Sequence, residues 1–406
     1  MKLISLIISI VLLFLFTAAD SYSQSKTGII SVDFYGDTIE IPLDSSFSVP
    51  VSPLLSESSV ESFYTSVNSS NYNPVINTLF SYKQQHRLDD WLYYQLIRST
   101  AERVSPKAVN YHRYTLYKWF LLAKSGYAAT ISIRNDRMLL YVQSDDEVFN
   151  IPCHTQNGKQ YVCLNYHDYG KIDFDKEKFT IVHISVPEAQ KAFSYKVTRL
   201  PDFKLKNYAV KELQFDYYQT EYHFKLMLNK QVKKIFNNYP VVNYETYFNI
   251  PLSNVTYNSL IPLLRNNIKK MNQKNGVDYL MRFTRYAFSF ETDTENFGAE
   301  KRLSPEQTLL YDHSDCDDRA ALFFYLVKEL YNLPMIVLSY PEHISIAVKF
   351  DKPLGNPIVY KGNDYWVCEP TPQKDDLLIG QSLSALRKVP YDVVYAYNPL
   401  TSKGDK

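Results

Sequence analysis

Between Ser314 and Pro370 the chain sets a thiol, an imidazole and a carboxylate on one helix and two strands, and no other feature constrains the fold as much. Ala320, Phe323, Phe324, Val327 and Leu330 recur at helical spacing, so one face of this segment must be buried. Ser314 is a suitable N-cap, with Asp317 three residues on as its reciprocal partner, which predicts that Cys316 lies in the first helical turn. Free amides and the positive dipole end favour a thiolate there. Asp315, Asp317 and Asp318 oppose it wherever their charges face the sulfur. The plainer alternative for Cys316 is a small buried thiol at a helix start.

Two strands follow. Pro341-Glu342 makes a tight turn after Met335–Tyr340, and His343 opens the next strand. Ile344, Ile346 and Val348 then share one face, and His343, Ser345 and Ala347 the other. A further run, Asp364-Tyr-Trp-Val-Cys-Glu, stops at Pro370. Antiparallel pairing around the loop Lys352–Pro357, centred on Asn356, sets Glu369 beside His343. Cysteine, histidine and carboxylate together are the arrangement for nucleophilic acyl transfer. The thiolate attacks an amide carbonyl, the imidazole carries the proton, and the acid orients the ring. Backbone amides at the helix start are candidates for binding the oxyanion.

These residues resemble the transglutaminase-like cysteine hydrolases. The likeness runs through Ser314-Asp-Cys-Asp-Asp-Arg-Ala-Ala-Leu322, Asn332-Leu-Pro-Met335, Glu342-His-Ile-Ser345 and Tyr365-Trp-Val-Cys-Glu-Pro-Thr371, and covers roughly 255–395. It implies an α+β, papain/transglutaminase-like domain with its catalytic helix packed on an antiparallel sheet. It also implies Cys316 as nucleophile, His343 as base and acid, and Glu369 as orienter. No cofactor or metal is implied. The chain departs from the family pattern at Ser314 and Asn332, which stand for glycines, and at Glu369, which stands for the usual aspartate and has one methylene more.

The remaining sequence supplies context. Length, 406 residues, suits two or three domains, and a net charge of +1 gives no pull toward nucleic acid. Lys2, the apolar run Leu3–Phe16 and the small residues after it read as a secretory signal peptide over 1–24, giving an exported chain that is periplasmic or secreted and has no later membrane-spanning segment. Residues 25–170 read as an N-terminal α+β domain, 171–254 as a β-rich middle region and 255–406 as the transglutaminase-like domain. A hairpin is expected over 29–41, turning at Gly36-Asp37, and helices over about 56–126. Asn157-Gly158 marks a two-residue turn that pairs 154 with 161 and sets Cys153 and Cys163 on opposite faces, which disfavours a disulfide between them.

The N-terminal half also overlays the C-terminal one. Asn110–Val142 falls on the Cys316 and His343 segments at an offset of 206, and Gly158–Tyr161 on Gly362–Tyr365 at 204. A degenerate copy of the same domain follows from this, with Asn110, Arg137 and Asn165 at the three key positions. His112, His154 and His167 lack metal-ligand spacing, and the acidic cluster at 312–318 lacks EF-hand order. Lys230–Lys234 reads as a solvated helix face, Tyr311 as a packed ring or an extra oxyanion donor, and Cys368 as a buried thiol beside Trp366. Two functions remain open: an exported hydrolase or acyl-transferase acting on peptide or isopeptide bonds of a peptide or protein substrate, and a non-catalytic binding or scaffold module of the same fold.

Overall fold

The computed structural model describes residues 27–292, 295, 301–371 and 376–399. The expected signal peptide lies outside these residues. No helix among them is long and apolar enough to cross a membrane.

The fold is α+β and is built twice. The first unit opens with a hairpin of β1 (Thr27–Phe34) and β2 (Asp37–Asp44), followed by α1 (Glu57–Asn68), α2 (Asn73–His86), α3 (Asp90–Val104) and α4 (Tyr111–Lys124). Strands β3 (Ala129–Arg134), β4 (Arg137–Gln143), β5 (Val148–Phe149), β6 (Cys153–Gln156), β7 (Lys159–Cys163) and β8 (Thr180–Val182) come next. The second unit repeats the plan with the hairpin β9 (Tyr208–Tyr217) and β10 (Thr220–Asn229), the short α5 (Gln231–Ile235), β11 (Val241–Val242) and α6 (Tyr244–Phe248). Helices α7 (Asn254–Ile268) and α8 (Gln273–Tyr286), strand β12 (Ser289–Phe290), α9 (Pro305–Leu310), β13 (His313–Ser314) and α10 (Cys316–Tyr331) lead to β14 (Met335–Tyr340), β15 (His343–Val348), β16 (Ile358–Tyr360), β17 (Asn363–Cys368) and β18 (Asp392–Tyr397).

Each unit holds a five-stranded antiparallel sheet curled into a half-barrel, ordered β6-β7-β4-β3-β8 in the first and β16-β17-β15-β14-β18 in the second. The registers coincide. Arg134 pairs with Arg137 as Tyr340 pairs with His343, and Tyr141 pairs with Cys163 as Ala347 pairs with Val367. The hairpins coincide as well, Phe34↔Asp37 falling on Tyr217↔Thr220, and in both units the first hairpin strand meets one helix (α3, α8) and the second strand the helix before it (α2, α7). The two halves are therefore one topology written twice.

That duplication changes how the middle of the chain is read. Residues 171–254 do not form a β layer of their own: β8 is an edge of the first sheet, and β9–β10 is the opening hairpin of the second unit. The irregular stretch between them buries Phe193, Tyr195, Val197, Leu200 and Phe203 in a core shared by both units. Its aromatic content suits packing as well as pairing, and period-two alternation cannot distinguish the two. The units are joined by Trp91, whose indole N–H donates to the Ile235 carbonyl at 3.0 Å, and by the pairing of β5 with β11.

Turn chemistry explains one local difference. The first hairpin turns at Tyr35-Gly36, with φ of 52° and 92°, because a two-residue loop matching the strand twist needs two left-handed residues. Asn157-Gly158 (φ 52° and 74°) satisfies the same demand, and there His154 pairs with Tyr161 as its spacing predicts. Cys153 is exposed, Cys163 is buried, and both are free.

Where the repeat substitutes a residue, the energetics change. The position of buried Phe324 on α10 is taken on α4 by Lys118, 1 % exposed, with its ammonium 4.5 Å from the Tyr114 ring centroid. Burial pushes Lys118 down to about 7 from an ordinary value of 10.5. Its folded pKa lies below the unfolded one, so between these values the unfolded chain binds the extra proton and stability rises with pH. Lys118→Met should raise stability at pH 7 by about 1–3 kcal/mol and flatten the profile between pH 7 and 10, as measured by urea denaturation across that range.

Candidate functional site

Cys316 is the first residue of α10, and its surroundings begin with the helix cap. The cap is Asp315, one residue later than the sequence suggests. Asp315 Oδ1 accepts the amides of Asp317 (3.1 Å) and Asp318 (3.2 Å), and Asp318 reciprocates toward the Asp315 amide. Ser314 is withdrawn from capping because it pairs with Phe290 in the bridge between β12 and β13 and accepts Arg319 Nε at 2.9 Å. The capping carboxylate thus takes two of the amides expected to receive an oxyanion. The Cys316 amide is the first-turn donor that this side chain leaves alone. At the other end of α10, Asn332 closes the helix at φ 51°, the left-handed position that a glycine would otherwise fill.

The sulfur is half-buried against β15. The backbone N–H of Ile344, the residue after His343, favours its thiolate, and the sulfur lies 3.5 Å from Asp317 Oδ1, to which the thiol donates. Burial pushes the Cys316 thiol well above its ordinary value, and the charges of Asp317 and Asp315 add to the shift. The helix dipole does not prevail here: burial, with the adjacent Asp317 and Asp315 charges behind it, outweighs partial charges spread over a turn. Asp317 faces Arg302, with Nε 3.4 Å from Oδ2, and the guanidinium lies 4.1 Å from the Tyr244 ring centroid.

His343 and Glu369 form the second half of the site. His343 Nε2 is 2.7 Å from Glu369 Oε2, which also accepts the Ser345 hydroxyl at 2.8 Å, while Oε1 accepts the Thr371 amide at 3.1 Å. The strand register differs from the one read off the sequence. Ile346 pairs with Cys368, so the next position outward sets Glu369 opposite Ser345, two residues from the His343 pairing expected. A shift of two keeps every side chain on its face. Glu369 then meets His343 as a diagonal neighbour, about 7–8 Å away at Cα, a span that the extra methylene helps to cover.

Two buried arginines fasten these pieces together. Arg319, on α10, donates to the carbonyls of Arg285 and Phe288 at 2.9 Å each, gripping the C-terminal end of α8. Arg285 in turn donates through Nε (3.1 Å) and through a second guanidinium nitrogen to the Glu369 carbonyl, and pairs with Asp376 at 2.7 Å. Both arginines are 0 % exposed. Sequence reasoning named Arg319 and Thr371 only as motif letters and passed over Arg285 and Arg302, whose contacts join segments far apart in the chain. Ser345 was legible through its shared strand face with His343.

The other candidates have local roles. His112 bonds the Asp136 carbonyl, and His154 stacks on Tyr161. His167 lies 3.4 Å from Asp168, and burial holds it down to about 4. Asp312 pairs with Lys211, Asp318 accepts the Leu303 amide, and Tyr311 lies under the Lys233 ammonium. Cys368 is fully buried in one core cluster with Trp366. In the first unit, Asn110 caps α4 through the Arg113 amide, and Arg137 pairs with Glu177. Asn165 is spent on the Leu140 amide, the Met138 carbonyl and Tyr111, so these three positions carry no nucleophile and no base. No group of three or more His, Cys, Asp or Glu residues among the described residues is placed to hold a metal ion.

No protein-family model matches the chain, and neither the curated proteins nor the solved structures give a significant match. What the site can do follows from its own geometry.

Because Asp317 raises the Cys316 thiol, Asp317→Asn should lower that pKa and speed alkylation of Cys316 by iodoacetamide at pH 8 by about three- to tenfold. Peptide mapping by mass spectrometry reads the rate at this cysteine separately from exposed Cys153.

Proposed function

We propose that this chain is a cysteine hydrolase or acyl-transferase of the transglutaminase-like kind, acting on peptide or isopeptide amides through Cys316, His343 and Glu369. One observation carries the proposal: His343 Nε2 meets the buried Glu369 carboxylate at 2.7 Å, and the amide of the next residue, Ile344, is among the groups that stabilise a thiolate at Cys316. With Nε2–H donated to Glu369, Nδ1 holds the lone pair that takes the thiol proton. The C–S bond forms as that proton leaves sulfur. The tetrahedral intermediate collapses with cleavage of the C–N bond, and Nδ1–H protonates the departing amine. Water or a second amine then resolves the thioester, with His343 taking its proton. A thiol held up by its acidic neighbours suits an ion pair that forms only with substrate present. An exported setting, periplasmic or secreted, belongs to the same proposal and rests on residues 1–24.

The raised thiol also favours the alternative, a binding or scaffold module that keeps the fold without the reaction. The first unit shows how such a domain persists without the triad. Reaction with p-nitrophenyl acetate separates the two. The enzyme predicts a burst of nitrophenolate and an acetyl thioester on Cys316. The burst is lost in Cys316→Ala and slowed about 100-fold or more in His343→Ala, with Glu369→Gln between them and wild type. Acylation confined to Cys153, or unchanged by His343→Ala, supports the scaffold.

A further inference from the structure

A cavity of about 880 Å³ lies between the first unit and α5 of the second, bounded by the hairpin turn at Tyr35, by Arg98, Ser99 and Glu102 on α3, by Tyr111 on α4 and by Lys234 on α5. It is separate from the Cys316 site. Its volume lies in the range of small-ligand pockets. The guanidinium of Arg98 donates to Gln95 at 3.0 Å and lies 5.9 Å from the Tyr94 ring, with Tyr114, Tyr35, Lys118 and His167 also within its electrostatic reach. Among the described residues no carboxylate lies within ion-pair distance of it. The cavity's own acids are engaged with backbone: Asp33 accepts the Gly36 amide and Glu102 accepts the Lys107 amide. A partly buried arginine without a counter-ion, on the wall of an open cavity, is an unmet demand for an anion.

The repeat shows which anion. In the second unit the hairpin-turn tyrosine is Tyr218, and Leu280-Met-Arg-Phe-Thr284 on α8 matches Leu96-Ile-Arg-Ser-Thr100 on α3, each threonine hydroxyl donating to the leucine carbonyl, so Arg98 answers to Arg282. Arg282 stacks on Tyr218 at 4.4 Å, and the carboxylate of Asp376 binds Arg282 at 2.6 Å and Arg285 at 2.7 Å. The second unit thus fills this nook with two arginines and an acid from its own chain. The first unit keeps the first arginine as Arg98, has Ala101 where the second unit has Arg285, and among the described residues pairs no acid of its own with Arg98. We propose that this cavity binds a carboxylate supplied by another molecule, with Arg98 as the anchor, Lys234 at the entrance and tyrosines as the walls. The source is either a free small carboxylate or an acidic side chain within a peptide.

Calorimetric titration of the full chain with N-acetylglutamate, acetyl-Ala-Glu-Ala-amide and the corresponding Gln tripeptide tests this. Saturable binding of a glutamate probe is expected, about tenfold or more tighter than the Gln tripeptide, since a charge-assisted bidentate contact is lost in the latter. Preference for N-acetylglutamate identifies a free carboxylate ligand, and preference for the tripeptide an acidic peptide. Arg98→Gln should abolish the discrimination. Lys234→Glu, on an exposed helix face, should weaken binding about threefold or more at low salt with the melting temperature unchanged. Cys316→Ala should bind as wild type does, so the result is independent of the chemistry at that residue. No saturable binding of either glutamate probe, equal binding of the Gln tripeptide, or binding indifferent to both charge variants overturns the proposal.

Discussion

The candidate site depends on a buried chain of arginine contacts more than on any single catalytic distance. Cys316 lies on a helix, His343 at the start of a strand and Glu369 just beyond the end of another. Arg319 ties that helix to the carbonyls at the end of α8, and Arg285 ties α8 to the backbone of Glu369. A guanidinium can do this because its five donors diverge in a plane and satisfy several carbonyls that burial would otherwise leave unpaired. Each contact is a charge-assisted hydrogen bond in a dry interior, where an orphaned partner is costly. The sulfur and carboxylate are thus referenced to one rigid frame.

Within that frame the electrostatics oppose a resting thiolate. The first turn of α10 gives two amides to Asp315 and sets Asp317 against the sulfur, and these charges add to the burial that holds the thiol up. Glu369 is held by the Ser345 hydroxyl, the Thr371 amide and the hydrogen bond with His343 Nε2, which fix its orientation from both oxygens. An imidazole pinned by such a carboxylate presents its second nitrogen in one direction, and in the proposed reaction this favours proton transfer with substrate bound over a standing ion pair. The first unit keeps the same strand register but spends Asn165 on backbone groups. The comparison separates what the fold needs from what the chemistry needs.

Much of this was legible in the sequence where local signals punctuate it. Pro341-Glu342 sets the β14–β15 turn, Asn157-Gly158 sets β6–β7, and the offset of 206 between the halves returns as matched strand registers. The misreadings are those in which a non-local contact overrules a local rule. Ser314 has the chemistry of a cap but is held by β12 and by Arg319, so Asp315 caps instead. Symmetry about Asn356 pointed to pairing of His343 with Glu369, whereas the loop closes two residues away and the longer glutamate arm absorbs the difference. Arg285 reaches Glu369 across 84 residues, and no periodicity or spacing announces such a contact.

In the proposed site, sulfur, imidazole and carboxylate act on one another. Nitrogen-15 spectra of selectively labelled histidine test it most directly, since the chain has only eight histidines to assign. The account predicts His343 as the Nε2–H tautomer, with the Nε2 signal displaced by Glu369→Ala and the Nδ1 signal displaced by Cys316→Ala. An Nδ1–H tautomer, or an Nδ1 signal indifferent to the loss of the sulfur, would contradict it.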